Sequence, residues 1–93
     1  MIRDFADKRT RMVFAGEYPK GFPSSILKIA RRKLKMVDAA IVLTDLRAPP
    51  GNQLEALTGD RRGQHSIRIN DQWRICFVWT PDGPAAVEVV DYH

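Results

Sequence analysis

The chain has 93 residues, enough for one domain with a modest core and too few for a second domain or a deep cofactor cleft. A hydrophobic content of 44% and two tryptophans exclude a disordered chain. The net charge of +4 favours a polyanionic partner, although many ordinary proteins are also basic.

The remaining composition indicates a soluble protein of a reducing compartment. Cys76 is the only cysteine, which excludes an intrachain disulfide, and its apolar neighbours predict a buried, inert thiol. The longest apolar runs, Ala39–Leu43 and Ile75–Trp79, have five residues each and are too short to cross a membrane. We therefore expect a single domain, residues 1–93, in the cytoplasm and without membrane contact.

The start of the chain predicts a short element and then a helix. Ile2–Phe5 has the composition of an edge strand. Asp4 or Asp7 is expected to cap a first helix that runs to about Phe14, because a short polar side chain can bond the free N–H groups of a first turn. The segment Pro19–Pro23 ends this helical region.

A longer second helix is predicted to begin at Ser24 or Ser25. Its apolar positions follow spacings of three and four, namely Leu27, Ala30, Leu34, Val37 and Ile41. The cations that lie away from this stripe are Lys28, Arg31, Arg32 and Lys35. They form either a solvated helix face or a ridge that contacts phosphates or an acidic partner segment.

After Pro49–Gly51 the sequence turns to strand patterns. The predicted strands are Gln53–Leu57, His65–Ile69, Trp73–Trp79 and Ala85–Val90. In the second strand, His65, Ile67 and Ile69 share one face, and Ser66, Arg68 and Asn70 share the other. The order of elements predicts an α+β fold, in which two N-terminal helices pack on a small, twisted antiparallel sheet.

The sequence does not predict a metal or cofactor site. Two histidines and one cysteine, without the spacing of a zinc site, cannot supply four ligands. There is also no glycine-rich loop of the kind that binds nucleotide phosphates.

The remaining chemistry suits cleavage of RNA by its own 2′-hydroxyl, which needs a base, a cation and an acid. His93 has a pKa range that suits an acid or a base. Arg74 offers a planar fork of donors for phosphate, and Tyr92 can stack on a base or assist proton transfer. In a regular strand Tyr92 and His93 would point to opposite faces, so a shared site needs a bend at the end of the strand.

Four further residues are weaker candidates. Glu55 is a possible base, although an exposed strand carboxylate is more often only solvated. His65 faces the apolar side, which favours a hydrogen-bonded structural histidine over a catalytic one. Arg61 and Arg62 lie in a turn, where they either follow RNA phosphates or are solvated.

The segments Gly59–Trp79 and Val87–His93 closely resemble the HigB/GraT group of toxins in the RelE/ParE superfamily. The resemblance implies a RelE-like fold and the toxin half of a bacterial type II toxin–antitoxin pair. It implies a messenger-RNA interferase that needs the ribosome, acts in the ribosomal acceptor site and uses no cofactor. The implied partner is a HigA-like helix-turn-helix antitoxin, through which the pair would bind its operator DNA.

Carried over by position, the terminal pair of the family becomes Tyr92 and His93, and the arginine after the hairpin tryptophan becomes Arg74. Some members carry a histidine and a lysine just before the Gly-Asp-Arg turn, where this chain has Glu55 and Thr58. Some also carry an arginine at the hairpin, where this chain has Asn70. We expect Arg68 to supply the missing charge, because it shares a strand face with Asn70.

Two other functions use the same fold or the same charge. A ParE-like gyrase poison would act through protein contacts and would not need Tyr92, His93 and Arg74. A non-catalytic module would bind the ribosome or operator through its basic helix alone. Only the nuclease interpretation requires that deletion of Tyr92 and His93 abolish toxicity while folding and antitoxin binding survive.

Overall fold

A computed structural model describes residues 1–92, so His93 and the catalytic role expected for it lie outside the described part of the chain. The described elements are helices α1 (Lys8–Phe14) and α2 (Ser24–Ala39) and strands β1 (Glu55–Ala56), β2 (His65–Arg68), β3 (Trp73–Thr80) and β4 (Gly83–Asp91). Three short 3₁₀ turns, Leu43–Arg47, Pro50–Asn52 and Gly59–Arg61, lie in the connections. This arrangement confirms the predicted α+β class, with the helices first and the sheet second.

The sheet is an antiparallel meander in the order β1-β2-β3-β4. The predicted strand over Gln53–Leu57 is reduced to the two residues of β1, because Gln53 adopts a left-handed backbone conformation with φ 46° and cannot extend the strand. The predicted edge strand at Ile2–Phe5 is also wrong. The segment forms an isolated parallel bridge between Phe5 and Val87 and a backbone bond of 2.7 Å from the Arg3 N–H to the Pro84 carbonyl, which do not make a strand.

The helix ends differ from the prediction in two respects. Asp7 caps α1 as expected, accepting a bond of 2.8 Å from the backbone N–H of Thr10. Neither serine caps α2, because Pro23 occupies the cap position and both serines are already helical. Ile41 lies beyond the end of α2 and is 85% exposed, so it is not part of the buried stripe.

The core lies between the helices and one face of the sheet. Buried residues of α2, Ile26, Ala30, Leu34 and Val37, pack with buried sheet residues, Ile67, Ile75, Phe77, Val87 and Val89. Each large apolar side chain that is fully buried stabilises the fold by about 1.5–3 kcal/mol. The helices therefore cover this core face, and the opposite face of the sheet is left to polar side chains.

Candidate active site on the polar face of the sheet

The strand register builds the opposite face from polar residues. Glu55 pairs with Ser66, Ser66 with Cys76, and Cys76 with Glu88, which makes one row across all four strands. In the next row Arg68 pairs with Arg74. Paired residues of antiparallel strands point to the same side, so we call the surface formed by Glu55, Ser66, Arg68, Arg74, Cys76 and Glu88 the polar face.

Arg74 is a nearly buried cation on the polar face, and hydrogen bonds hold its guanidinium in place. Its side chain is only 10% exposed, and its Nε donates a hydrogen bond of 2.7 Å to the Ser66 hydroxyl. Its Nη2 donates a bond of 2.7 Å to the Gln53 carbonyl and lies 3.6 Å from a carboxylate oxygen of Glu55. These contacts hold the guanidinium plane in one orientation. A planar donor fork that is already oriented suits recognition of a phosphate.

Arg68 places a second guanidinium beside the first. It is the direct cross-strand partner of Arg74, and its Nη2 forms an ion pair with the carboxylate of Asp71. Asp71 is fully exposed, whereas about a third of the Arg68 side chain is exposed. An exposed ion pair is weak, so Arg68 can exchange Asp71 for another anion at little cost.

Asn70 organises the β2–β3 turn. Its side-chain oxygen accepts hydrogen bonds of 2.8 Å from the backbone N–H groups of both Gln72 and Trp73. The acceptor end of the amide is therefore committed to the turn. A phosphate contact at Asn70, the position where some family members carry an arginine, would have to use its amide nitrogen.

Tyr92 follows directly on β4. Its backbone N–H donates a bond of 2.6 Å to the carbonyl of Gln72, which continues the β3–β4 ladder by one residue. Val90 pairs with Arg74, and strand alternation then brings Tyr92, two residues later, to the side of the sheet that carries Arg74. Tyr92 is 39% exposed. The structure thus brings Arg68, Arg74 and Tyr92 to one end of the polar face.

The two arginines of the turn differ in their contacts. Arg61 donates to the carboxylate of Glu88 at 3.3 Å and to the side-chain oxygen of Gln64 at 3.1 Å, whereas Arg62 is exposed. Cys76 lies on the same face and is fully buried. Burial raises the pKa of its thiol, so Cys76 is a poor nucleophile, as its apolar surroundings in the sequence suggested.

The cations of the second helix do not join this cluster. Lys28, Arg32 and Lys35 are exposed on α2, which packs against the core face of the sheet. Arg31 has a structural partner, because its guanidinium donates bonds of 3.0 Å to the carbonyls of both Val13 and Glu17. A contact with RNA phosphates through α2 would therefore start from Lys28, Arg32 and Lys35, which take part in none of the ion pairs among the described residues.

His65 lies on the apolar side of β2, as predicted. Its ring stacks on Phe77 with a centroid distance of 6.4 Å. The expected hydrogen bond is missing at one nitrogen, since the buried Nδ1 has no partner among the described residues. With Thr44, Arg47 and Glu55, His65 lines a cavity of about 200 Å³ at the sheet edge, next to the polar face rather than on it.

One buried polar pair, Lys33 and Asn52, was not predicted from the sequence. Lys33 is only 7% exposed, and its ammonium group donates to the side-chain oxygen of Asn52, which is fully buried. The signal was present in the spacing, because Lys33 stands three residues after Ala30 and four before Val37, on the buried side of α2.

Within residues 1–92, no group of three or more histidine, cysteine, aspartate or glutamate side chains is arranged to hold a metal ion. None of the helices described is long and apolar enough to span a bilayer.

The sequence is similar to those of known proteins. Residues 3–93 match the HigB-like toxin family, described as a RelE-like toxin of the type II toxin–antitoxin system HigB. Toxin HigB-1 of Vibrio cholerae serotype O1 is 44% identical over 87 residues, which cover 94% of this chain and 81% of that protein. Endoribonuclease HigB of Proteus vulgaris is 28% identical over 93 residues and is covered completely. An uncharacterised protein of Haemophilus influenzae is 39% identical over 62 residues, 67% of this chain and 61% of that protein.

Proposed function

The chain belongs to the HigB-like family of RelE-like toxins from type II toxin–antitoxin systems, and we propose that it inhibits growth by cutting messenger RNA on the ribosome. The relative from Proteus vulgaris is named an endoribonuclease. In the proposed reaction, a phosphodiester binds at the end of the polar face that carries Arg68, Arg74 and Tyr92, and no metal takes part.

The observation that carries this proposal is the anchoring of Arg74. A guanidinium held by Ser66 and Gln53 needs no reorganisation when negative charge develops on a phosphate. Its Nη1 is not bonded to any described residue and remains available to a non-bridging phosphate oxygen. Arg68 in the neighbouring strand adds a second positive charge on the same side.

The roles follow from the chemistry of the step. The ribose 2′-oxygen attacks the adjacent phosphorus and gives up its proton, the bond to the 5′-oxygen breaks, and that oxygen receives a proton. Arg74 and Arg68 stabilise the charge on phosphorus. Tyr92 stacks on a base or assists proton transfer, and the imidazole of His93 supplies the acid or base that works near neutral pH.

The partners follow from the same family. A type II toxin has an antitoxin as its partner. The finer proposal is a HigA-like helix-turn-helix antitoxin that neutralises the toxin and carries the pair to operator DNA. The ribosome supplies the translated messenger RNA, and the site of action is the bacterial cytoplasm.

Primer extension on a reporter messenger RNA in a translation extract tests the proposal. The intact protein, a variant that lacks Tyr92 and His93, and a Lys20→Met control at an exposed position would be compared with and without ribosomes. We expect cuts only with ribosomes, from the intact protein and the control. Growth arrest in cells without any cut would contradict the proposal and direct the next assay to DNA supercoiling by gyrase.

A further inference from the structure

Lys33 carries a positive charge into the interior without a carboxylate to balance it. Its ammonium group bonds the side-chain oxygen of Asn52, and the ion pairs among the described residues do not include it. Burial, followed by the charges of Arg32 and Arg68, lowers the pKa of Lys33. A buried cation of this kind is costly, and stability alone gives no reason to place lysine there rather than an apolar residue.

Asn52 connects Lys33 to the segment that precedes β1. Its amide nitrogen donates bonds of 3.2 Å to the carbonyls of Leu46 and Ala48, and its oxygen receives the bond from Lys33. Both ends of the buried amide are therefore used. This fixes the position and the rotation of the 3₁₀ turn Pro50–Asn52.

The next residue, Gln53, links this turn to Arg74. Gln53 has φ 46° and ψ 55°, a left-handed conformation that costs a residue other than glycine about 1–2 kcal/mol. In this conformation its carbonyl accepts the bond of 2.7 Å from Nη2 of Arg74. Its side chain is exposed and makes none of these contacts.

We infer that Lys33 and Asn52 are positioning residues that hold the Gln53 carbonyl, and through it the Arg74 guanidinium, in the orientation that receives phosphate. Two hydrogen bonds carry the link, from Lys33 to Asn52 and from Arg74 to Gln53, and the peptide bond between Asn52 and Gln53 joins them. The effect on cleavage rests on the function proposed for Arg74. The geometric link does not, and it can be measured in the free protein.

The test replaces Lys33 by methionine, which keeps the length of the side chain and removes its charge and donor. Lys20→Met, at an exposed loop position, is the matched control. The Nε–H signal of Arg74 in nitrogen-15 NMR spectra reports its orientation independently of cleavage. We expect Lys33→Met to shift and broaden this signal and to lower kcat about tenfold at nearly constant KM. Lys33→Arg, which keeps a donor, should restore part of both.

Gln53→Pro provides a second route if Lys33→Met does not fold. Proline fixes φ near −65° and removes the backbone N–H that Gln53 donates to the Pro50 carbonyl, so it moves the Gln53 carbonyl directly and tests the last contact of the link. The same shift and broadening of the Arg74 Nε–H signal are expected. An Arg74 signal identical to wild type in every folded variant overturns the inference. A shifted signal in a protein that never cleaves RNA, wild type included, supports the link and overturns the proposed function instead.

Discussion

Arg68 and Arg74 stand directly opposite each other on β2 and β3, although like charges in such a pair repel. The structure offsets the repulsion separately for each residue. Arg74 is buried against Ser66 and Gln53, and Arg68 reaches out to Asp71. The arrangement concentrates positive charge at one end of the polar face, which is the property that a phosphate-binding site needs.

Removal of Arg68 should lower activity without weakening the fold. Arg68→Ala relieves the repulsion with Arg74 but removes a charged donor to phosphate. A hydrogen bond to a charged group contributes about 1.5–3 kcal/mol, so we expect a rate ~10- to 100-fold lower. Urea unfolding and a ribosome-dependent cleavage assay measure the two effects. Full activity would show that Arg68 does not replace the charge missing at Asn70.

Ser66→Ala should destabilise the protein and loosen Arg74. The buried Ser66 hydroxyl accepts the bond from Nε, and its loss leaves a buried charged donor without that partner. We expect a decrease in unfolding free energy of about 1–3 kcal/mol, measured by urea titration. Ser25→Ala, at an exposed position, is the control. Equal stability of the two variants would mean that this bond contributes nothing.

The Glu55→Gln variant distinguishes two possible roles of this carboxylate, competition with phosphate for Arg74 and action as a general base. Glu55 lies 3.6 Å from Nη2 of Arg74, and its side chain is 52% exposed, so we expect it to compete with phosphate rather than to act as base. Removing its charge should strengthen RNA binding by about 1 kcal/mol, which lowers KM about fivefold and leaves kcat unchanged. Measuring kcat and KM of wild type and variant across a range of pH tests this expectation. A collapse of kcat together with the loss of one limb of the pH profile would identify Glu55 as the base.

The Cys76 thiol should make stability depend on pH in the alkaline range. Burial raises its pKa above the ordinary value of 9.0, so the unfolded chain loses this proton first. The contribution of the buried thiol to the free energy of unfolding is complete below the ordinary pKa and is lost as the pH rises through the pKa of the folded state. The urea midpoint of the wild type should therefore fall more steeply than that of Cys76→Ala between about pH 8 and about 10. If the urea midpoints of the two proteins fell equally with pH, the raised pKa of Cys76 would be contradicted.

Alternation predicted the core face of β2, where Ile67 and Ile69 are buried, because this pattern depends only on neighbours in the sequence. Helical spacing predicted the buried positions Ala30, Leu34 and Val37, but it wrongly included Ile41, which lies beyond the end of α2.

The contacts of Arg74 with Ser66 and Gln53 depend on the strand register and on the left-handed conformation of Gln53, which no local sequence pattern predicts. Lys33 was missed for a related reason, since a lysine on a buried stripe is explained only by its distant partner Asn52.

Arg74 is proposed to stabilise the charge that develops during RNA cleavage, and its removal tests this role most directly. Single-turnover cleavage of messenger RNA on stalled ribosomes should compare Arg74→Met with Arg3→Met, a control at an exposed arginine. We expect Arg74→Met to lower the rate constant about a hundredfold or more, while binding to the ribosome and the rate of the control stay close to wild type. An Arg74→Met protein that is folded and cuts at the wild-type rate would contradict it.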